Sequence, residues 1–251
     1  MTALSIPALA FLAAATLVTS FISGILGMAG GMMLMGALLA LLPLPAAMML
    51  HGISQFASNG WRALMLRREI DWRIVGGYAI GAVAMLVAFA MLRWVASKPV
   101  ALIALGLMPF AALALPERLH LNVEREWHPL ACGMVCSALS LSAGIAGPIL
   151  DVFFVRSKMG RHAVVATKAL TQTLSHLMKI AYFGGVMAVE GAEVSPWLAA
   201  TMVLLAFAGT SASRSVLERI SDASFRAWTR RTVMTLGLFY LASGIAAAIH
   251  A

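Results

Sequence analysis

Two segments of this chain carry polar side chains at helical spacing within otherwise apolar sequence. The first stripe consists of His51, Ser54, Gln55, Ser58, Asn59 and Arg62. At a constant offset of 117 residues, the second stripe consists of Lys168, Thr171, Gln172, Ser175, His176 and Lys179. Intervals of three and four residues place each stripe on one face of an α-helix. Hydroxyl, amide, imidazole and cationic groups can replace the water around an anion, so these twelve side chains are the candidate binding residues.

The charged members of the two stripes are all basic. They are Arg62, Lys168 and Lys179. A charge inside a membrane helix costs at least about 2.5 kcal/mol on insertion scales, which makes each of them a functional candidate. Arg62 lies five residues from Arg67, so the alternative is that Arg62, and similarly Lys168, extends to the membrane surface. A small anion fits these stripes better than a cation does.

Other side chains of the two segments could bind the ligand or carry a proton. Gln55 and Gln172 lie too deep to reach the surface and are the strongest candidates for lining a site. Asp151 is an acidic residue well inside an apolar run, where it could pair with a stripe lysine or carry a proton. His51 and His176 are further candidates for proton coupling because imidazole titrates near neutrality, although hydrogen-bonded structural roles are equally compatible.

Glycine turns precede both stripes and match at the same offset. The candidate binding glycines are Gly27, Gly30, Gly31, Gly144 and Gly147. Glycine permits unusual dihedral angles and the adjacent Pro148 lacks an amide donor, so an apolar helix is expected to break at these points. Inside a membrane, a broken helix is tolerated where protein or a water-filled cavity satisfies its backbone, and its amide-bearing N-terminus can bind an anion. The alternative is that these glycines only allow close helix packing.

The composition is that of a membrane protein. The chain has 251 residues, of which 61% are apolar and 11% are charged, and its mean hydropathy is +0.91. This leaves too little polar surface to cover a soluble domain. Several apolar runs reach the roughly 20 residues that cross a bilayer as a helix, and they lack the alternation of a barrel strand. The prediction is an all-α, polytopic membrane protein in the cell inner membrane.

The distribution of charge predicts the topology. The net charge is +8, but thirteen of the 18 Lys and Arg residues are divided among four short loops, which argues against a nucleic-acid partner and is typical of loops on the cytoplasmic side. If residues 4–44 and 129–155 each form a re-entrant hairpin, all four basic loops share one face and only Arg93 and Lys98 lie opposite. Eight simple transmembrane helices are the alternative, and they would divide the basic residues between both faces.

The hairpin topology predicts two inverted repeats. Each repeat would contain one re-entrant helical hairpin and about three transmembrane helices, and an odd number of crossings inverts the second repeat relative to the first. Residues 1–116 would form the first repeat, 117–128 a cytoplasmic linker and 129–251 the second repeat. Both termini would then lie outside.

The glycine turns and the polar helices that follow them resemble the sulfite exporter TauE/SafE family. The matching segments are 24–31 (GILGMAGG) and 143–148 (AGIAGP), and the likeness extends over nearly the whole chain. Pro148 stands where the family usually has a glycine. The resemblance implies an inner-membrane permease for sulfur-containing anions such as sulfite or small organosulfonates, often moved outward.

These observations favour a secondary transporter that binds a small anion by alternating access, with proton coupling as an addition. An anion channel, a permease for a different solute and a structural membrane subunit are the rival hypotheses. An enzyme is not expected, since the chain has no HExxH, GxSxG or paired-carboxylate motif. No cofactor or metal is expected, and Cys132 and Cys136 are interpreted as packing residues. The expected partners are the anion and membrane lipid, and a homo-oligomer is compatible with the sequence.

Overall fold

The protein is helical throughout the described part of the chain. The computed structural model describes residues 4–26, 28–116, 119, 121–217 and 222–250. Its helices are α1 (Ile6–Leu26), α2 (Met28–Leu41), α3 (Leu44–Met65), α4 (Trp72–Leu92), α5 (Lys98–Ala114), α6 (His128–Ala143), α7 (Gly147–Phe154), α8 (Arg161–Val189), α9 (Pro196–Leu217) and α10 (Asp222–Ile249), with a short 3₁₀ turn over Arg67–Glu69. No strand occurs among these residues, and the predicted all-α class is confirmed.

Four of these helices are long and apolar enough to cross a membrane. The apolar windows are Ile6–Ile25, Trp72–Leu92, Pro196–Ser213 and Trp228–Ile249. Large apolar side chains on these helices are exposed, including Ile80, Leu204 and Phe239, as expected for surfaces that face lipid. The helices α2, α5 and α6 are shorter, with 14, 17 and 16 residues. At about 1.5 Å per residue, α2 and α6 fall short of a hydrocarbon core of roughly 30 Å, while α5 is at the lower limit of the length that crosses it.

The expected helix break in the second half is present. Helix α6 ends at Ala143, and Gly144 follows with a φ angle of +87°, in the left-handed region that glycine adopts without a Cβ clash. Helix α7 then begins at Gly147 with Pro148 in its first turn, where a missing amide hydrogen costs nothing. In the first half, α1 ends at Leu26 and α2 begins at Met28. Gly27, between them, lies outside the described residues.

The two polar helices occupy the centre of the bundle. Helix α3 packs along α8, while α1 packs against α9, α4 against α6, and α5 against α10. Glycines allow the outer pairs to approach closely. A Cβ added at Gly133 of α6 would overlap the carbonyl oxygen of Tyr78 on α4, and one at Gly209 of α9 would lie 2.5 Å from the carbonyl oxygen of Leu17 on α1. Small residues commonly allow such contact between membrane helices.

Candidate functional site

A small polar cavity lies where α3 and α8 meet the two helix breaks. It encloses about 30 Å³, room for about two water molecules. Its wall is formed by Ser23, Met28, Gly31, His51, Gln55, Asn59, Tyr78, Ser140, Ile145, Ala146, Gly147, Leu150, Gln172, Ser175 and His176. This wall contains no aspartate or glutamate among the described residues. It therefore offers hydrogen-bond donors without a competing carboxylate.

The cavity brings together half of the residues in the two stripes. Those that line it are His51, Gln55, Asn59, Gln172, Ser175 and His176, and from the glycine turns Gly31 and Gly147. A Cβ added at Gly31 would lie 3.3 Å from Oε1 of Gln55 and 3.8 Å from Nε2 of His51. The absence of a side chain at Gly31 thus keeps this part of the cavity open.

Three stripe residues form hydroxyl hydrogen bonds outside the cavity. The Oγ atom of Ser54 donates to the carbonyl oxygen of Leu50 at 3.0 Å, and Oγ1 of Thr171 donates to that of Lys168 at 3.0 Å. The hydroxyls of Ser58 and Thr210 are hydrogen-bonded at 2.7 Å, which ties α3 to α9. These contacts hold helices together or satisfy the backbone of their own helix, as hydroxyl residues often do in membranes.

The remaining candidates lie outside the cavity wall. Gly30 faces α1, because a Cβ there would overlap the backbone of Thr19. Lys168 forms an ion pair with Asp151. Their side chains are 25% and 39% exposed, so this pair is not sealed inside the bundle. Gly144 takes part through its carbonyl oxygen, which accepts a hydrogen bond from Lys179.

A buried hydrogen-bonded chain connects the two stripes behind the cavity wall. The imidazole of His51 contacts the carbonyl oxygen of Gly31 through Nε2 at 2.9 Å, and a carbonyl can only accept, so Nε2 carries the proton. In a neutral imidazole Nδ1 is then an acceptor. Lys179 donates to this Nδ1 at 2.6 Å and to the carbonyl oxygen of Gly144 at 2.7 Å.

Lys179 has no carboxylate partner in the part of the chain that the structure describes. Its side chain is fully buried, with 0% exposure, as is that of His51. A buried cation is strongly destabilised unless a negative charge or several good acceptors compensate it. The ammonium group of Lys179 therefore favours a negative charge at the adjacent cavity.

Arg62 places a second positive charge close to the wall. Its guanidinium donates to the carbonyl oxygen of Ser23 at 3.1 Å and contacts Oδ1 of Asn59 at 3.5 Å. Both partners line the cavity. Arg62 thus lies against the last turns of α1 rather than extending away from the bundle. Lys179 contacts His51, which also lines the cavity, so basic groups lie behind the wall at two places.

Three buried polar atoms of the wall have no hydrogen-bond partner among the described residues. They are Nε2 of Gln55, Oγ of Ser140 and Nδ1 of His176. Leaving such a group unpaired costs about 1–3 kcal/mol, so each favours a ligand or water that can pair with it. An amide and a hydroxyl can donate to an oxyanion, and the imidazole nitrogen can do so when protonated. The arrangement is suited to binding a small oxyanion.

Sequence reasoning missed three polar members of this wall, which are Ser23, Tyr78 and Ser140. Ser140 lies in an apolar helix of small residues, and Tyr78 lies in the apolar run of α4, so neither belongs to a stripe. The hydroxyl of Tyr78 is hydrogen-bonded to that of Ser175 at 2.5 Å. One signal was available, since Ser140 matches Ser23 at the offset of 117 and both line the cavity. Nothing in the sequence indicated Tyr78.

Comparison with known proteins gives a family but no individual relative. The family model described as sulfite exporter TauE/SafE matches residues 12–249. No curated protein and no solved structure matches the chain. The family implies a membrane transporter of sulfite or other sulfur-containing anions rather than an enzyme, in agreement with the apolar helices and the basic cavity. Since the match covers nearly the whole chain, the protein belongs to the sulfite exporter TauE/SafE family.

Proposed function

We propose that the protein is an alternating-access exporter that binds a small sulfur-containing anion, such as sulfite or an organosulfonate, in the cavity between α3 and α8. One observation carries this proposal. The unpartnered polar atoms of Gln55, Ser140 and His176 meet at a cavity backed by Lys179, whose charge has no carboxylate partner in the described residues. An oxyanion would supply acceptors for the donors and a counter-charge for the lysine.

The size of the cavity favours a carrier over a channel. An organosulfonate needs more space than the room for about two water molecules that the cavity offers. The surrounding helices must therefore move to admit it, and a continuous pore is not required. Such movement around a fixed central site is the basis of alternating access.

Matching contacts in the two halves support the proposal of two repeats. Helix α1 contacts α9 and helix α6 contacts α4, so the first helix of each half packs against the fourth helix of the other. The stripe serines follow the same rule. Ser58 is hydrogen-bonded to Thr210 of α9, and its equivalent Ser175 to Tyr78 of α4.

The basic residues that end the two stripes also make equivalent hydrogen bonds. Arg62 donates to the carbonyl oxygen of Ser23 near the C-terminus of α1, and Lys179 to that of Gly144 at the C-terminus of α6. A cation is favourable at a helix C-terminus because the last carbonyl groups point toward it. We therefore propose that residues 1–116 and 129–251 are repeats joined by the cytoplasmic linker 117–128.

The proposed inversion depends on the number of crossings in each half. If α1 with α2, and α6 with α7, form re-entrant hairpins, the next three helices of each half cross the membrane and the second half is inverted. The 16 residues of α6 and 8 residues of α7 are individually too short to cross. Under this proposal both termini lie on the face of the inner membrane that is opposite the cytoplasm.

Transport kinetics test the proposed function. In proteoliposomes loaded with unlabelled sulfite, we expect labelled sulfite to enter faster than into empty ones, because a carrier exchanges its ligand while a channel does not. Gln55→Ala should lower the apparent affinity by about 10-fold or more, since an unpartnered donor worth about 1–3 kcal/mol is removed. Ser54→Ala is the matched control, because its hydroxyl is bonded to its own helix. Uptake that is unsaturable and insensitive to internal sulfite would contradict the carrier proposal.

A methyl group added at Gly31 should reduce binding without unfolding the protein. The new Cβ of Gly31→Ala would lie 3.3 Å from Oε1 of Gln55, which narrows the cavity and displaces a binding group. We expect the apparent Kd for the anion to rise by roughly 10-fold, which corresponds to about 1.4 kcal/mol. Gly60→Ala is the control, because its Cβ would make ordinary contact with Thr173. Equal anion binding by the two variants would argue against a site at Gly31.

We propose His176 as the coupling residue among the three proton candidates. Its Nδ1 lines the cavity unpartnered, whereas both nitrogens of His51 are engaged and Asp151 pairs with Lys168. The titratable groups facing His176 are His51, whose ring centroid is 5.5 Å away, and Lys179. His176→Asn should therefore weaken anion binding and, at saturating anion, lose the anion-driven proton flux, measured with a pH dye in vesicles. Asp151→Asn should retain both, and loss of proton flux in that variant alone would move the coupling role to Asp151.

A further inference from the structure

A second, larger cavity lies between α5, α7 and α10. It encloses about 570 Å³ and is called the vestibule here. Most of its wall consists of apolar side chains, such as Leu113 of α5, Val152 of α7 and Val233 of α10. The vestibule is thus mainly apolar. The charged residues on the described part of its wall are Asp151 of α7, Arg156 just after α7 and Arg230 of α10.

Helix α7 separates the vestibule from the polar cavity. Gly147 and Leu150 line the polar cavity, while Pro148, Asp151 and Val152 line the vestibule. One short helix of eight residues therefore has one face on each space. Movement of this helix, rather than of the whole bundle, would join them.

Met28 completes the partition, since it lines both spaces. It contacts α7 closely, because a Cβ added at Gly147 would overlap the Cβ of Met28. A flexible, unbranched thioether side chain can change rotamer at low cost. Met28 is thus the side chain that a solute would have to displace between the two spaces.

The charges of the vestibule favour an anion with an apolar part. Arg156 and Arg230 lie on its wall, and Asp151, the one carboxylate on the described part of that wall, is paired with Lys168. The Oγ1 atom of Thr229 has no hydrogen-bond partner in the described part of the chain. Guanidinium and hydroxyl groups bind a sulfonate headgroup, while the apolar wall accommodates a short carbon chain.

We propose that the vestibule is the access path to the polar cavity, that it binds a small organosulfonate on the way, and that Met28 and α7 form the barrier between them. This rests on the proposed transport function. It adds a second binding site on the path of the same solute, with its own residues, to the site between α3 and α8.

Cysteine accessibility tests the path. In a Cys132→Ala, Cys136→Ala background, which removes the two buried native thiols, Val152→Cys places a thiol in the vestibule and Leu150→Cys places one in the polar cavity. The probe is a methanethiosulfonate reagent bearing a sulfonate, compared with its trimethylammonium analogue, applied separately to each face of membrane vesicles. Melting temperatures verify that each variant folds, and Val155→Cys replaces Val152→Cys if the latter does not.

We expect the vestibule thiol to react from one membrane face, at least about tenfold faster with the sulfonate reagent because of the nearby arginines. Its modification should block sulfite transport. The Leu150→Cys thiol should be protected, and Met28→Ala should raise its reaction rate by about tenfold or more. Equal rates with both reagents, or transport that survives modification, would overturn the access path. So would a Leu150→Cys rate unaffected by Met28→Ala.

The two proposals fail separately. If the unmodified protein transports no sulfur anion but the two thiols react at the expected rates, the transport proposal fails. The inference that the vestibule leads to the polar cavity then still stands. If the protein transports sulfite while the modified vestibule thiol has no effect, the transport proposal stands and the access path is wrong.

Discussion

Replacing Lys179 with methionine should weaken anion binding by about 100-fold while leaving the protein folded. If the anion binds about 6 Å from the ammonium group, their attraction contributes roughly 3 kcal/mol at an effective dielectric constant of 20, which corresponds to a factor of about 100. Methionine keeps the length of the side chain and removes the charge. The substitution removes a fully buried cation but leaves Nδ1 of His51 and the carbonyl oxygen of Gly144 without their donor, so the two effects oppose each other and the thermal stability without ligand should change little.

The measurement is the sulfite dose response of the melting temperature of Lys179→Met in detergent. Lys98→Met is the matched control, because Lys98 is exposed at the start of α5 and far along the chain from both stripes. Its dose response should equal that of the unmodified protein. An unchanged response in Lys179→Met would mean that the buried lysine is a packing residue and that the anion, if one binds, lies elsewhere.

Replacing Gly133 with leucine should prevent the helices from assembling. At this point the backbones of α6 and α4 are in contact, and a Cβ at Gly133 would overlap the carbonyl oxygen of Tyr78. Neither backbone can rotate away as a side chain could, so the cost should exceed the roughly 1–3 kcal/mol typical of overpacking. Tyr78 also lines the polar cavity, so separation of the two helices would distort the binding site.

Gly76→Leu is the control for this variant. It introduces the same side chain on α4 at a position where an added Cβ meets nothing within 4 Å. Size-exclusion chromatography should give a single symmetric peak for Gly76→Leu and aggregated or low-yield protein for Gly133→Leu. Normal assembly of Gly133→Leu would contradict the close contact between α4 and α6.

The helical fold could be predicted from the sequence because its causes are local. Long apolar runs require every backbone group to be paired within a helix, and the turn at Gly144 requires a residue that tolerates a positive φ angle. Which helices pack together was not predictable. The pairing of α1 with α9 depends on contacts such as that of Gly209 with Leu17, between residues far apart in sequence.

Helical spacing located the candidate site but could not orient its residues. Adjacent residues on a helix differ by about 100° in direction. Gly31 therefore faces the polar cavity while Gly30 faces α1. Among the stripe residues, Gln55 reaches the cavity with a long side chain, whereas the short hydroxyl of Ser54 bonds to the carbonyl oxygen of Leu50. These outcomes depend on helix rotation and side-chain length together.

The buried lysine illustrates what spacing cannot convey. Lys179 is the last residue of the second stripe and is equivalent to Arg62, which could have extended toward a membrane surface. The fold instead places the amino group between His51 of α3 and the carbonyl oxygen of Gly144. Both contacts join residues that only the tertiary packing brings together.

The binding of a sulfur anion at the cavity between α3 and α8 is tested most directly by ligand-dependent thermal stability. The purified protein would be melted with sulfite, thiosulfate and sulfoacetate, with chloride and cations as reference solutes, and with Gln55→Ala and Gln172→Ala as variants. We predict stabilisation by at least one sulfur anion, about 2.7 kcal/mol at 100 times its Kd, and loss of that stabilisation in both variants. If no anion changes the melting temperature of the protein or of either variant, the proposal of an anion site in this cavity is contradicted.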